Sequence, residues 1–83
     1  MVFIKLDFGD VSKFLDVTSQ LNCDFDLSQR GACVDGKSLV GVLALDLSQP
    51  IKVRVVSDSK VVKEKFLNML KLQGIFYEVK ESI

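Results

Sequence analysis

One segment of this chain limits its fold more than any other: residues 51–56, IKVRVV, in which apolar side chains alternate with Lys and Arg. Such alternation is typical of a half-buried β-strand, because successive side chains point to opposite faces of a sheet. The apolar residues that follow recur at helical spacing, which predicts a helix that begins after the serine-rich stretch at 57–59 and ends at Gly74. Its apolar stripe consists of Val62, Phe66, Met69 and Leu70. A one-faced strand and a one-faced helix bury their apolar sides against each other, which predicts a layered α+β domain.

The first half of the chain shows the same two patterns of apolar residues, the alternation typical of strands and the spacing typical of helices. Residues 2–6, VFIKL, are β-branched and aromatic and predict an opening strand. A helix is expected next, with Asp10 or Ser12 as its cap. Its apolar face would consist of Val11, Phe14, Leu15, Thr18 and Leu21. The remaining predicted elements are an alternating strand at 23–27, a turn at 28–31 and a return strand at 32–34 that ends at Asp35-Gly36.

Two segments leave alternatives open. Residues 37–45, KSLVGVLAL, have the content of a buried strand, but Ser38 after a glycine turn favours a short helix with this serine as N-cap or first-turn residue. The tail at 75–79 is either a further strand or a packed extension. The predicted order is β-α-β-β-α-β-α, with a short second helix. Paired strands with amphipathic helices predict an antiparallel or mixed sheet with helices on one face.

Length and composition restrict the class of protein. The 83 residues predict one domain, 1–83, with a C-terminal extension at 74–83. Eleven Lys and Arg balance eleven Asp and Glu, so no net field favours nucleic acid or an anionic membrane. No apolar run has the length of a membrane span and the N-terminus lacks the layout of a signal peptide, which predicts a cytoplasmic protein. Cys23 and Cys33 are expected to be two buried free thiols, since a reducing compartment disfavours a disulfide.

The chain contains no histidine, which excludes imidazole chemistry of any kind. It also lacks a Walker-type phosphate loop, a cluster of metal-ligand residues, and a serine or cysteine beside a general base. Neither cysteine has a neighbouring cation that would activate it as a nucleophile. We therefore predict a protein that is not an enzyme, with no catalytic residue, no cofactor and no metal.

Residues 34–45, VDGKSLVGVLAL, resemble a stretch of HPr, the histidine-containing phosphocarrier family of the sugar phosphotransferase system. The family's stretch reads roughly V-x-x-K-S-I-M-G-x-x-x-L, and this segment is similar to it at nearly every defining position. It also lies in the corresponding place, after two hairpin strands and before a Val-rich strand and a final helix. The likeness covers about residues 2–72 and implies an HPr-like open-faced β-sandwich of the α+β class. In such a fold, helices cover one face of a four-stranded antiparallel sheet, to which the tail would add a strand in the first of its two alternatives.

The same resemblance makes the missing histidine more informative. HPr proteins carry the motif G-I-H-A-R-P between the first strand and the first helix, and its histidine receives phosphoryl from Enzyme I. Here that place holds only residues 7–11, DFGDV, in a loop that is several residues shorter. Nearby carboxylates would repel phosphoryl, and nothing in the region supplies a basic partner. The phosphocarrier role is therefore not expected.

Ser38 is the family feature that remains. In HPr of many Gram-positive bacteria the matching serine is phosphorylated by an ATP-dependent kinase, and the product binds a transcriptional regulator. The catabolite-repression HPr group (Crh) lacks the active histidine and keeps that serine, and this chain resembles a more divergent case. The resemblance implies a regulatory phosphorylation site at Ser38, with an HPr kinase or a transcriptional regulator as protein partners. The partner-binding residues that it implies are Lys37, Leu39, Val40 and Leu43.

Three functions stay open at this point. The first is a regulatory, protein-binding HPr-like module switched at Ser38, and the second is a module kept by descent that binds partners of the phosphotransferase system without relaying phosphoryl. The third is a structural role, such as dimerisation through residues 75–79, whose alternation suits edge-strand pairing. The residues of the site also have purely structural interpretations. Ser38 would then be a simple N-cap, and Leu39 and Leu43 would be core residues with Val40 alone exposed.

Overall fold

The computed structural model describes residues 1–80 and shows an α+β fold in which five strands and three α-helices are formed. Its elements are β1 (Val2–Lys5), a 3₁₀ turn (Phe8–Asp10), α1 (Val11–Ser19), β2 (Asp24–Gln29), β3 (Ala32–Asp35), α2 (Leu39–Leu43), β4 (Ile51–Val56), α3 (Lys60–Leu72) and β5 (Phe76–Val79). The predicted order of elements is confirmed, and the ambiguous segment at 37–45 is a short helix. The last three residues of the predicted C-terminal extension, 81–83, lie outside the described residues.

All strand pairs in the described part of the sheet are antiparallel, in the order β3-β2-β4-β1-β5. The tail therefore takes the first of its two alternatives, because residues 76–79 pair with β1 as an edge strand. The four strands of the predicted sheet are present, and the tail adds the fifth. β4 lies at the centre, as expected for the segment with the clearest alternation.

The helices cover one face of this sheet. Ile51 and Val53 of β4 point to that face and are buried, whereas Lys52 and Arg54 point to the other face and are exposed. The core that the two layers enclose contains Phe14 of α1, Phe25 of β2 and Phe66 of α3, all fully buried. The ring of Phe66 lies 4.9 Å from that of Phe25 and 6.4 Å from that of Phe14, centroid to centroid. One aromatic cluster thus joins the helices to the sheet.

Both predicted end signals of α3 are confirmed. The hydroxyl of Ser59 accepts a hydrogen bond from the Val62 amide at 3.3 Å, which caps α3. Gly74 follows α3 with a φ of +72°, a left-handed conformation that glycine adopts without strain. Asp10 precedes α1, but its carboxylate accepts from the Asp7 amide at 3.0 Å and makes no side-chain cap to the helix.

The loop before β4 is held by side chains. The Gln29 amide group donates to the carbonyl of Asp46 and accepts from its backbone N–H, both at 2.8 Å. Ser48 donates to the Asp46 carboxylate from its hydroxyl at 2.6 Å and from its backbone at 3.0 Å. These two hydrogen bonds, hydroxyl first, lower the pKa of Asp46 from its ordinary value, because they stabilise the ionised form.

The prediction of two buried thiols was wrong. Cys33 is exposed and Cys23 is half-buried. Cys33 lies in β3 opposite Ser28, and alternation along the strand turns it away from the face that the helices cover. Cys23 precedes β2 rather than lying in it. No helix in residues 1–80 is both long and apolar enough to cross a membrane.

Candidate protein-binding site

The short helix α2 presents most of its apolar side chains to solvent. Val40 is 80% exposed, Leu39 53% and Leu43 43%, whereas Val42 is fully buried in the core. The purely structural interpretation of Leu39 and Leu43 as core residues is therefore wrong. We call the surface formed by Leu39, Val40 and Leu43 the α2 patch. Exposed apolar residues scattered singly need no explanation, but three among the five residues of one short helix form a contiguous feature.

Ser38 begins this helix. Its hydroxyl oxygen accepts a hydrogen bond from the Gly41 amide at 3.1 Å, and its carbonyl accepts from the Val42 amide at 2.9 Å. The Ser38 amide donates in turn to the carbonyl of Asp35 at 3.1 Å. Ser38 is therefore the N-cap, one of its two predicted positions, and its side chain is half-buried beside the α2 patch.

A tight turn places Ser38. The amide of Gly36 donates to the carbonyl of Phe25 at 2.7 Å, and the buried hydroxyl of Thr18 donates to the carbonyl of Gly36 at 3.0 Å. A Cβ atom on Gly36 would lie only 2.7 Å from the Cβ of Phe25. The turn is thus fixed between α1 and β2, and it needs a residue without a side chain.

Sequence reasoning placed a turn at residues 35–36 and Thr18 on the apolar face of the first helix, but it assigned neither a role in the site. The turn dipeptide Asp35-Gly36 was a local signal for the first. Nothing local indicates that the hydroxyl of Thr18 bonds the carbonyl of a residue 18 positions later.

Lys37 lies next to the α2 patch in sequence, but its charge points elsewhere. Its ammonium group donates to the carbonyl of Leu21 at 2.8 Å, just beyond the C-terminus of α1. Its backbone amide donates to the carboxylate of Asp35 at 2.9 Å. A cation is favourable near the negative end of a helix dipole, which gives Lys37 a structural role in joining this turn to α1.

The loop between β1 and α1 is apolar at its tip and acidic on both sides of it. Phe8 is 79% exposed at its tip. Asp7 and Asp10 flank it and are joined by backbone and side-chain hydrogen bonds of 2.9 and 3.0 Å. The two ion pairs found in residues 1–80, Arg54–Asp26 and Lys80–Glu78, do not involve this loop.

No group of three or more potential ligand residues that could hold a metal ion occurs in the described residues. The described part of the chain therefore offers one candidate site of the expected kind, the surface from Lys37 to Leu43.

Comparisons of the chain with protein-family models, with curated proteins and with solved structures found no match.

Proposed function

We propose that this chain is a non-catalytic, HPr-like regulatory module that binds other proteins through the α2 patch. The observation that carries the proposal is the exposure of Leu39, Val40 and Leu43 on a helix whose position is fixed by buried contacts. Covering exposed apolar side chains with a partner is favourable because it removes their surface from water, and a rigid support lowers the entropy cost of binding.

The HPr-like assignment draws support from two further features. The described elements follow the order β-α-β-β-α-β-α, with the helices on one face of an antiparallel sheet. The segment that resembles the family's stretch, residues 34–45, contains a turn and a short capped helix rather than a strand.

Loss of the relay function is part of the proposal. Phosphoryl transfer to a side chain requires positive groups that stabilise the charge of the transferring phosphoryl. The loop that would hold the acceptor carries Asp7 and Asp10 instead, and Phe8 between them is apolar. A partner protein could use the surface, but the chain itself would transfer nothing.

Regulation at Ser38 is the second part of the proposal. A phosphoryl group would add about 1.5–2 negative charges at the edge of the α2 patch, with three strong acceptor oxygens. A partner that offers an apolar pocket and a nearby arginine would then distinguish the phosphorylated form from the unmodified one. The hydroxyl of Ser38 is half-buried and already accepts from the Gly41 amide, so its modification would also change the helix start.

The test is incubation of the purified protein with an HPr kinase and ATP, followed by intact-mass measurement. The expected result is a gain of one phosphoryl group that is absent in Ser38→Asn, since asparagine keeps the N-cap but offers no hydroxyl. Ser59→Asn is the matched control, because Ser59 caps α3 in the same way, and it should keep the gain. No gain in the unmodified chain, or a gain that survives in Ser38→Asn, would contradict regulation at Ser38.

A structural role is the second candidate, and one observation favours it. β5 is an edge strand, and its Phe76 and Val79 are 59% and 55% exposed. Unpaired strand edges pair readily with another chain. A dimer that persists in high salt and whose formation is abolished by changes in β5, together with a failed phosphorylation test, would favour this function.

A further inference from the structure

One end of the core is open between α3 and the sheet. Near the middle of the sheet, residues that point to the helices, such as Ile4 and Val53, are buried. At the end where β1 begins, the residues on the same face are only partly covered: Val2 and Val55 are half-buried, and Val79 is 55% exposed. They border a groove of about 490 Å³, within the range of about 300–1,000 Å³ that is usual for small-molecule sites.

The groove is mostly apolar, and its charges have one sign. Besides the valines of the strands, its walls include Phe66 and Leu67 of α3. The charged residues that line it within residues 1–80 are Lys52, Arg54 and Lys63, all of them cations. The groove is therefore complementary to a molecule that is largely apolar and carries a negative charge.

Two of these cations mark one end of the groove. Arg54 and Lys63 also line an adjoining hollow that extends to Ser57 and Asp58, so they lie where the groove and the hollow meet. Arg54 is on the sheet face away from the helices and Lys63 is on α3, which brings the two charges to this end from opposite sides.

The same end carries a backbone N–H that no strand of the described residues covers. Met1 exchanges hydrogen bonds of 2.9 and 2.8 Å with Lys80, so Val2, which faces the other way, exchanges them with Val53. Val55 faces the same side as Val53, but β1 has already ended there. The carbonyl of Val55 accepts from the amide two residues later at 2.9 Å, which leaves its N–H directed at the open edge.

We propose that this groove binds an anionic amphiphile, a carboxylate with an alkyl chain of medium length. The carboxylate lies between Arg54 and Lys63 and accepts a hydrogen bond from the Val55 N–H. The alkyl chain lies along Val2, Leu67 and Val79. Charge-assisted hydrogen bonds orient the carboxylate, and burial of the chain supplies most of the affinity. The site shares no residue with the α2 patch and is independent of the function proposed for it.

Two carboxylates of the protein lie near the position of the bound carboxylate. Asp26 pairs with Arg54 at 3.9 Å, but this pair is loose and exposed. Asp58 lines the adjoining hollow and not the groove itself. The ligand must share Arg54 with Asp26, which limits its affinity.

An alkyl carboxylate fits this groove better than an extended peptide. A peptide that adds a strand to a sheet is held by a row of main-chain hydrogen bonds. β4 ends at Val56, so Val55 is its one residue that faces this side beyond the end of β1, and the carbonyl of Val55 already has a partner. A peptide would gain a single bond of this kind, as a carboxylate does, and ordering its chain costs more entropy.

An NMR titration of the labelled chain with sodium hexanoate, octanoate and decanoate, each below its micelle concentration, tests the proposal. Saturable shift changes should centre on Val2, Val55, Leu67 and Val79, with residues 39–43 unaffected. Octanoate should bind with a dissociation constant on the order of 1 mM. Each added methylene should tighten binding about fourfold while the chain stays within the groove. Octanol, which carries no charge, should bind about tenfold more weakly than octanoate.

A pair of double variants tests the role of the two cations. Arg54→Gln/Lys63→Gln should weaken octanoate binding about tenfold, because it removes both charges and little apolar surface. Lys5→Gln/Lys65→Gln is the matched control, since it also neutralises one exposed cation of a strand and one of α3, both outside the groove. It should bind octanoate like the unmodified chain. Circular dichroism checks the fold, and the comparison of octanoate with octanol requires no variant.

Four results would overturn the proposal. The first is the absence of saturable binding up to about 10 mM octanoate. The second is a set of shift changes centred on residues 39–43, which would assign the amphiphile to the α2 patch. The third is octanol that binds as tightly as octanoate, or equal weakening in the two double variants, since either would remove the role of charge. The fourth is a short apolar peptide with a free C-terminus that binds at the same residues more tightly than octanoate, which would assign the groove to a protein terminus.

Discussion

Replacement of Gly36 by alanine should destabilise the whole domain, because this glycine touches the core directly. The new Cβ would lie 2.7 Å from the Cβ of Phe25 and 3.1 Å from its carbonyl oxygen. Carbon atoms in ordinary contact are about 3.5–4.0 Å apart, so the two backbones must separate by about 1 Å. Phe25 cannot move freely, since it is fully buried and its ring packs on Phe66.

Three contributions set the magnitude. Overpacking of a dense core costs about 1–3 kcal/mol. The separation also stretches the hydrogen bond from the Gly36 amide to the Phe25 carbonyl, whose net value is about 1 kcal/mol. The lower backbone entropy of alanine in the unfolded chain returns about 0.4–1 kcal/mol. The expected loss is about 2–3 kcal/mol from a total stability of about 4–12 kcal/mol for a chain of this length.

The assay is guanidinium denaturation followed by circular dichroism, together with a thermal melt in which the midpoint should fall by about 10–20 °C. Gly9→Ala is the matched control. A Cβ on Gly9 would have no neighbour within 4 Å, so this variant should stay within about 0.5 kcal/mol of the unmodified chain or gain slightly. A loss below about 0.5 kcal/mol in Gly36→Ala, or equal effects of the two substitutions, would refute the reasoning.

Three further predictions concern single side chains. Thr18→Val should cost about 1–3 kcal/mol in the same denaturation assay, because the buried carbonyl of Gly36 loses its donor, and a change below about 0.5 kcal/mol would contradict this. Phe8→His should remain unphosphorylated by Enzyme I and phosphoenolpyruvate, because the adjacent aspartates repel phosphoryl, whereas a phosphohistidine in the intact-mass spectrum would disprove it. Ser48→Ala should raise the pKa of Asp46 in an NMR titration, since its hydroxyl is the larger cause of the lowered pKa. The stability that the lowered pKa of Asp46 contributes is present above the ordinary carboxyl pKa and is lost as pH falls through the folded-state pKa. This loss of stability in acid should therefore be smaller in Ser48→Ala. An unchanged pKa of Asp46 would contradict the assignment.

The parts of the fold that could be predicted are those with local signals. β4 and α3 were predicted correctly because the spacing of their apolar residues differs clearly, and because Ser59 and Gly74 mark the ends of the helix. The short helix α2 was favoured over a strand by one feature, a serine after a glycine turn. In each case the information lies within a few residues.

The remaining features depend on contacts between distant segments. Whether the tail becomes a strand depends on the free edge of β1, which no local pattern reports. Cys33 was expected to be buried because its segment is apolar, but the pairing of β3 at the other edge turns it outwards. Apolar content alone could not indicate that Val42 enters the core while Val40 stays exposed.

The central claim is that the surface around Ser38 is where this protein meets its partners. The most direct measurement is an NMR titration of the labelled, Ser38-phosphorylated chain with a transcriptional regulator of the kind that binds serine-phosphorylated HPr. We predict amide shift changes centred on residues 37–43, weaker or absent without phosphorylation and lost in Val40→Asp, a substitution at an exposed position that should leave the fold intact. Shift changes confined to the sheet face opposite the helices, or none at all with the phosphorylated chain, would contradict the claim.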